Sequence, residues 1–369
     1  MEADTLPKAL MAMAERQPDR VAMRMKDLGI WHDITWAEYL EKVKQVALGL
    51  HELGVKKGDH CSIIGENKPE WLFSAMGVMS IGATFVGVYT TNPTKECEYV
   101  VGHSKSVVYI CEDEEQLDKA LECRDNTPDL NKIIVWDMEG LRAFKDPMVM
   151  SFDDLLELGK DSNKNNPALF QGLIERGSPK DIASIIYTSG TTGPPKGALL
   201  NHEGYLWVGK QAALITQSRI DDESISFLPL NHVYEQIFDL MMHLTVGHIV
   251  NFTENTDTVM NDMKEVSPTV FHAVPRIWEK YYSGIVIKMD DATWFKRTCY
   301  TIAVKIGSRY NSAKLAGEKI PLWLFLAYQL AYFAVFWKLK ERLGFDRVCL
   351  LYTSPSPRDR TRSRMPSSA

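Results

Sequence analysis

The 369-residue chain is poor in cysteine: the six thiols, Cys61, Cys97, Cys111, Cys123, Cys299 and Cys349, form no CxxC pair and no zinc-ligand spacing. Scattered thiols in a chain of this size fit a reducing compartment and argue against a disulfide framework. Positive charge is also short, with 42 Lys and Arg against 48 Asp and Glu, a net charge of −6. That balance argues against non-specific nucleic-acid binding, so no nucleic-acid partner is expected. The opening residues Met1-Glu-Ala-Asp-Thr5 are acidic and hold no apolar run, so no secretory leader is expected. HExxH and paired-carboxylate motifs are lacking, as is any internal repeat. Zinc-hydrolase, glycosidase and solenoid readings therefore have no support.

What is present concentrates in one place. The apolar stretch Ile182-Ala-Ser-Ile-Ile186 reads as a buried strand, and Tyr187-Thr-Ser-Gly-Thr-Thr-Gly-Pro-Pro-Lys-Gly197 reads as a loop following it. Glycines let backbone N–H groups converge on an anion, hydroxyls donate further hydrogen bonds, and lysine adds a point charge. That inventory suits a polyphosphate. It is not the P-loop NTPase signature, because Gly197 follows Lys196 where that motif needs Ser or Thr for magnesium.

Strand and helix signals alternate along the chain. Thr35-Trp-Ala-Glu38 is a capping-box pattern, followed by Tyr39, Leu40, Val43, Val46, Ala47 and Leu50 at helical spacing, with Gly54 placed to stop the helix. Strands are expected at His60–Ile64, Ala83–Val88, Val107–Cys111 and Ile133–Trp136, and Asn67 with Glu70 reads as a helix opening. After the polar, breaker-rich run 160–167, a linker candidate, further strands are expected at Ile182–Tyr187, Ser224–Leu228, His248–Phe252 and Thr269–Ala273. Such alternation implies βαβ units and a largely parallel sheet, an α/β fold.

The segment Thr188–Gly197 resembles, over ten positions, the phosphate-binding loop of the AMP-forming adenylating enzymes. Leu228-Pro-Leu-Asn-His-Val-Tyr-Glu235 is similar to that family's Leu/Phe-Pro-x-x-His motif, and Val274-Pro-Arg-Ile-Trp-Glu-Lys280 looks most like the long-chain fatty-acid CoA ligases, including the bubblegum type. The resemblance covers residues 5 to 350 and implies a reaction in two halves. Carboxylate plus ATP gives an acyl-adenylate and pyrophosphate, and the thiol of coenzyme A then takes the acyl group. Thr188, Ser189, Gly190, Thr191, Thr192, Gly193 and Lys196 would bind ATP, with Thr192 assigned to Mg2+. His232 would be the catalytic residue, at the meeting point of carboxylate and adenylate, and would bind substrate with Val274, Pro275 and Arg276. Glu235 is left open between a structural partner of His232 and a surface group. Ser62–Asn67 and Asn92-Pro-Thr94 are assigned to scaffold. Another carboxylate-adenylating enzyme and a non-catalytic nucleotide- or acyl-binding remnant stand as alternatives.

The implied architecture is two stacked βαβ subdomains of the family's N-terminal domain, 1–160 and 161–350, truncated and with the C-terminal lid domain absent. No Tyr-Gly-x-Thr-Glu segment, later ribose-binding Asp or lid lysine appears, so the chain is expected to be inactive alone. Residues 351–369 read as a disordered Ser/Pro/Arg tail foreign to the fold; from Tyr352 on, four arginines stand against one aspartate. Leu322–Trp337 (LWLFLAYQLAYFAVFW) is apolar except for Gln329. These sixteen residues fall short of the roughly 20 that span a bilayer. A buried or partly interfacial helix is expected, with peripheral membrane contact as the alternative. The resemblance implies a cytoplasmic protein, peripheral to the endoplasmic reticulum or peroxisome membrane.

Overall fold

The computed structural model describes residues 3–188 and 194–348, and the backbone of 350–353. The chain divides into two compact units, Met1–Val259 and Met260–Ala369. In chain order the first unit's strands are β1 (Val21–Asp27), β2 (Ile30–Thr35), β3 (His60–Ile64), β4 (Thr84–Val88), β5 (Ser106–Cys111) and β6 (Lys132–Val135). They continue as β7 (Val149–Ser151), β8 (Ile182–Thr188), β9 (Lys196–Asn201), β10 (Glu223–Ser226) and β11 (Ile249–Phe252).

Seven of these form one sheet in the order β7-β6-β5-β3-β4-β8-β9. All its pairings are parallel except β8 with β9. The central strands are mainly apolar and buried on both faces, as parallel strands between helices must be; β4 is buried at every position. The second sheet runs β10-β11-β1-β2, with only β1 and β2 antiparallel. Leu28 (φ 47°) and Gly29 (φ 79°) make the turn between those two. Positive φ at both central positions is the primed geometry that matches strand twist.

The helix Trp36–Glu52 opens on the expected capping box, with Thr35 and Glu38 exchanging hydrogen bonds. It buries Trp36, Tyr39, Val43, Val46, Ala47 and Leu50. Gly54 (φ 90°) follows the end of the helix, where a left-handed residue is needed. Against it lies the helix Phe152–Asn165. A Cβ on Gly159 would sit 1.9 Å from the Gln45 carbonyl oxygen, so this crossing requires glycine.

In the first unit three expectations change. The linker candidate at 160–167 is mostly the end of the helix Phe152–Asn165, where buried Ser162 donates to Glu52 at 2.6 Å. Strands on both sides of residue 160 share the seven-stranded sheet, so the expected boundary at 160/161 gives way to one at Val259/Met260. Asn67 does not open a helix: Lys68 is the N-cap of Pro69–Ser80, and the Asn67 side chain bonds elsewhere.

In the second unit β12 (Val270–Ala273) pairs in parallel with β13 (Leu350–Thr353). Residues 351–353 of the expected disordered tail are thus in a strand, as the sheet-favouring Leu-Leu-Tyr-Thr sequence allows; residues 354–369 lie outside the described residues. The apolar run belongs to a helical stretch, Leu322–Leu343, of 22 residues. It includes a π-helical segment, Tyr332–Phe336. Among the described residues it is the one helix long and apolar enough to cross a membrane. Of the expected buried or partly interfacial helix, the buried form is overturned: Leu322, Trp323, Leu326, Leu330, Phe333 and Trp337 are all exposed. An apolar run specifies a preference for leaving water but not what provides the cover.

Candidate functional site

The expected phosphate loop is the connection of a β-hairpin. Thr188, the last residue of β8, pairs with Lys196, the first of β9, and Tyr187 pairs with Gly197. No helix follows the loop directly, so an anion there would rely on loop N–H groups, hydroxyls and Lys196 and not on a helix N-terminus. Ser189, Gly190, Thr191, Thr192 and Gly193, including the residue assigned to Mg2+, lie outside the described residues. Thr188 and Lys196 are both exposed. Glycine is required at 197, where a Cβ would come 2.7 Å from Ile185 Cγ2.

The hairpin is fastened from the helix Thr94–Ser104. Tyr99 donates its hydroxyl to the Pro195 carbonyl at 3.0 Å. His103 Nδ1 meets the Tyr187 hydroxyl at 2.7 Å, and its ring stacks on Tyr99. These braces carry no signal in the loop motif itself, since they come from a helix nearly one hundred residues earlier.

His232 stands at the N-cap of a single helical turn, Val233–Gln236. Its Nδ1 accepts from the Tyr234 N–H at 3.1 Å, so the neutral ring carries its proton on Nε2. Burial holds the imidazole below its usual pKa, which keeps the ring neutral near pH 7. His232 and Thr188 line one cleft of 340 Å³, together with Tyr89, Asn92, Tyr187 and Pro195. That volume lies at the lower end of small-molecule sites. Asn92, assigned to scaffold from its sequence context, is therefore a lining residue of the cleft.

Glu235 is not a surface group. It is fully buried, and Oε1 accepts from the N–H groups of Phe227 and Leu228 at 3.1 and 3.2 Å. Burial raises its carboxyl to about 8 against the partial opposition of those bonds. Val274, Pro275 and Arg276 belong to the second unit, directly after β12. Val274 caps the helix Pro275–Asp290, Pro275 takes its first position, and Arg276 is exposed.

The family described as AMP-binding enzyme matches residues 10–320. Long-chain-fatty-acid–CoA ligase ACSBG2 of Xenopus laevis is 29% identical over 360 residues, covering 96% of this chain and 48% of that protein. The ACSBG2 ligase of Rattus norvegicus is 30% identical over 361 residues, covering 96% and 53%. The chain thus spans about half the length of the curated relatives it matches. Among solved structures, the adenylation domain of a carboxylate reductase from Mycobacterium chelonae has a TM-score of 0.66 at 18% identity, covering 97% of this chain and 55% of that one. A long-chain-fatty-acid-CoA ligase from Archaeoglobus fulgidus has a TM-score of 0.63 at 20% identity, covering 78% and 54%. At such identities the structural likeness concerns the fold alone.

Proposed function

We propose, from the premise that this chain belongs to the AMP-binding enzyme family, that it serves in the ATP-dependent activation of a long-chain fatty acid. The carboxylate attacks the α-phosphate of ATP, giving acyl-adenylate and releasing pyrophosphate; the thiol of coenzyme A then takes the acyl group and releases AMP. The observation that carries this reading is the cleft that Thr188 and His232 share. It puts the base of a polyphosphate loop beside a neutral imidazole able to donate from Nε2 to an anion.

The attack brings a carboxylate to a phosphate already crowded with negative charge, so donors and positioning carry most of the work. The loop hydroxyls, its N–H groups and Lys196 would serve the leaving pyrophosphate, and Thr192 would hold Mg2+, which would neutralise charge developing there. No general base is required, because a fatty carboxyl is ionised at neutral pH. The long-chain assignment is supported by the names of the relatives and by the segment Val274–Lys280, which looks like that of long-chain fatty-acid CoA ligases. Peripheral attachment to a membrane at its cytoplasmic face, through 322–337, completes the proposal; the exposed apolar residues there support it.

Titration of the protein with MgATP tests the phosphate assignment. Saturable binding is expected, weakened several-fold by Lys196→Ala, about the worth of one exposed charge-assisted contact. Equal affinity in the two proteins would overturn the assignment.

A further inference from the structure

The segment Phe227–Asn231, which delivers His232 to the cleft, runs between β10 and the single turn Val233–Gln236 without regular structure. Leu230 and Asn231 are nonetheless buried, so the backbone polar groups here need partners. Side chains from distant elements supply them. Asn67 Oδ1 accepts from the Leu230 N–H at 3.1 Å, and its Nδ2 donates to the Leu228 carbonyl at 2.6 Å and to Ser226 Oγ at 2.8 Å. Gln236 Nε2 donates to the Leu230 carbonyl at 2.7 Å. Both polar groups of the Leu230 peptide residue are thereby held by side chains.

The chain of bonds continues to the phosphate hairpin. A carbonyl can only accept, so the Gln236 amide must turn its nitrogen to Leu230 and its oxygen to Tyr205, whose hydroxyl donates to it at 2.6 Å. That uses the single Tyr205 proton, so Ser184 Oγ, 2.6 Å away, donates to the Tyr205 oxygen. Ser184 lies on β8 four residues before Thr188, on the same face by the two-residue period of a strand. Every member of this chain is buried: Ser184 and Gln236 are 0% exposed and Tyr205 1%. The loop also sits directly on β4, where a Cβ on Gly87 would come 2.8 Å from Asn231 Cβ.

We propose that Asn67, Tyr205 and Gln236 are positioning residues that hold the His232 loop in fixed register with the strand that carries the phosphate hairpin. Satisfied buried networks of this kind have one arrangement, and loss of one member leaves others unpaired at full desolvation cost. The inference deepens the reading of His232 as a site residue and rests on it for its functional consequence; its structural content can be measured without any ligand.

Tyr205→Phe removes one hydroxyl while keeping the ring, and Gln236→Leu removes both amide contacts. In the wild type, long-range proton–nitrogen NMR of the imidazoles should show His232, identified by His232→Gln, as the Nε2–H tautomer. Both variants should shift it toward a tautomer mixture and speed amide exchange at 228–232 relative to β4. Affinity for a palmitoyl-adenylate mimic, the sulfamoyl ester, should fall about tenfold, the worth of one buried hydrogen bond, with MgATP affinity within twofold of wild type. In a His232→Ala background the same substitutions should have no further effect on the mimic. An unchanged His232 spectrum in both variants, or an equal loss of affinity with and without the His232 ring, would overturn the proposal. Failure of the wild type to bind either MgATP or the mimic would instead overturn the proposed function, while the NMR result would still decide the positioning claim.

Discussion

His202 shows how one residue's surroundings become a property of the chain. It opens the helix His202–Thr216, is 2% exposed, and its Nδ1 accepts from the Leu6 N–H at 3.4 Å. Burial lowers its pKa to about 4, against the opposing attraction of Asp181. The neutral ring is therefore the form the fold accepts. Below an unfolded pKa near 6.5 the unfolded chain takes up a proton that folded His202 does not. Stability should fall as pH drops from about 6.5 to about 4, by on the order of 3 kcal/mol from this group, and level off below. Thermal unfolding across that range should be less steeply pH-dependent in His202→Gln than in wild type. Identical slopes would contradict the assignment of the proton to His202.

Other residues show what sequence can and cannot disclose at this scale. Thr35 and Glu38 are legible because the capping box is a contract between neighbours. Asn67 is misread as a helix opener because its partners, Ser226, Leu228 and Leu230, lie about 160 residues away. Glu235 could be a surface group by pattern; only the burial of its turn makes it the brace of Phe227 and Leu228.

At the scale of elements, the central parallel strands are the easiest to anticipate, since β3, β4, β5 and β8 are short, mainly apolar runs. The β1–β2 hairpin escapes notice because Leu28 occupies a left-handed turn position that Asn, Asp or Gly usually signals. The strand β9 escapes because the loop motif before it draws attention to phosphate chemistry and not to the return of the chain. The run 322–337 is legible in the sequence as a helix, while its choice between burial and an interface is not. Cations flank its aromatic rings: Lys338 lies 4.7 Å from the Trp337 ring centre, and Arg309 5.2 Å from that of Trp323. The proposed membrane contact predicts that the protein sediments with phosphatidylcholine–phosphatidylserine vesicles. The triple change Leu326→Ser, Leu330→Ser, Phe333→Ser should cut the bound fraction several-fold. Since these side chains are 57%, 73% and 68% exposed, it should hardly alter thermal stability. Equal sedimentation of the two proteins would reject membrane contact through this helix.

At the scale of the whole molecule, the α/β class and its parallel-rich sheets follow from the alternation of short apolar runs with helical patterns. The division at Val259/Met260 does not follow, because it depends on which strands share a sheet, and β8 and β9 join the sheet begun at β3, His60–Ile64. The candidate site was half visible. Thr188 and His232 could be named from their motifs, but the cleft they share also needs Tyr89 and Asn92 from the connection after β4. The account rests on that cleft accepting an acyl-adenylate. The most direct test is equilibrium titration of the protein with palmitoyl and acetyl sulfamoyl-adenosine. Saturable binding, at least tenfold tighter for the palmitoyl compound and weakened by His232→Ala, is the predicted result. No saturation, or equal affinity for the two compounds and for the variant, would contradict it.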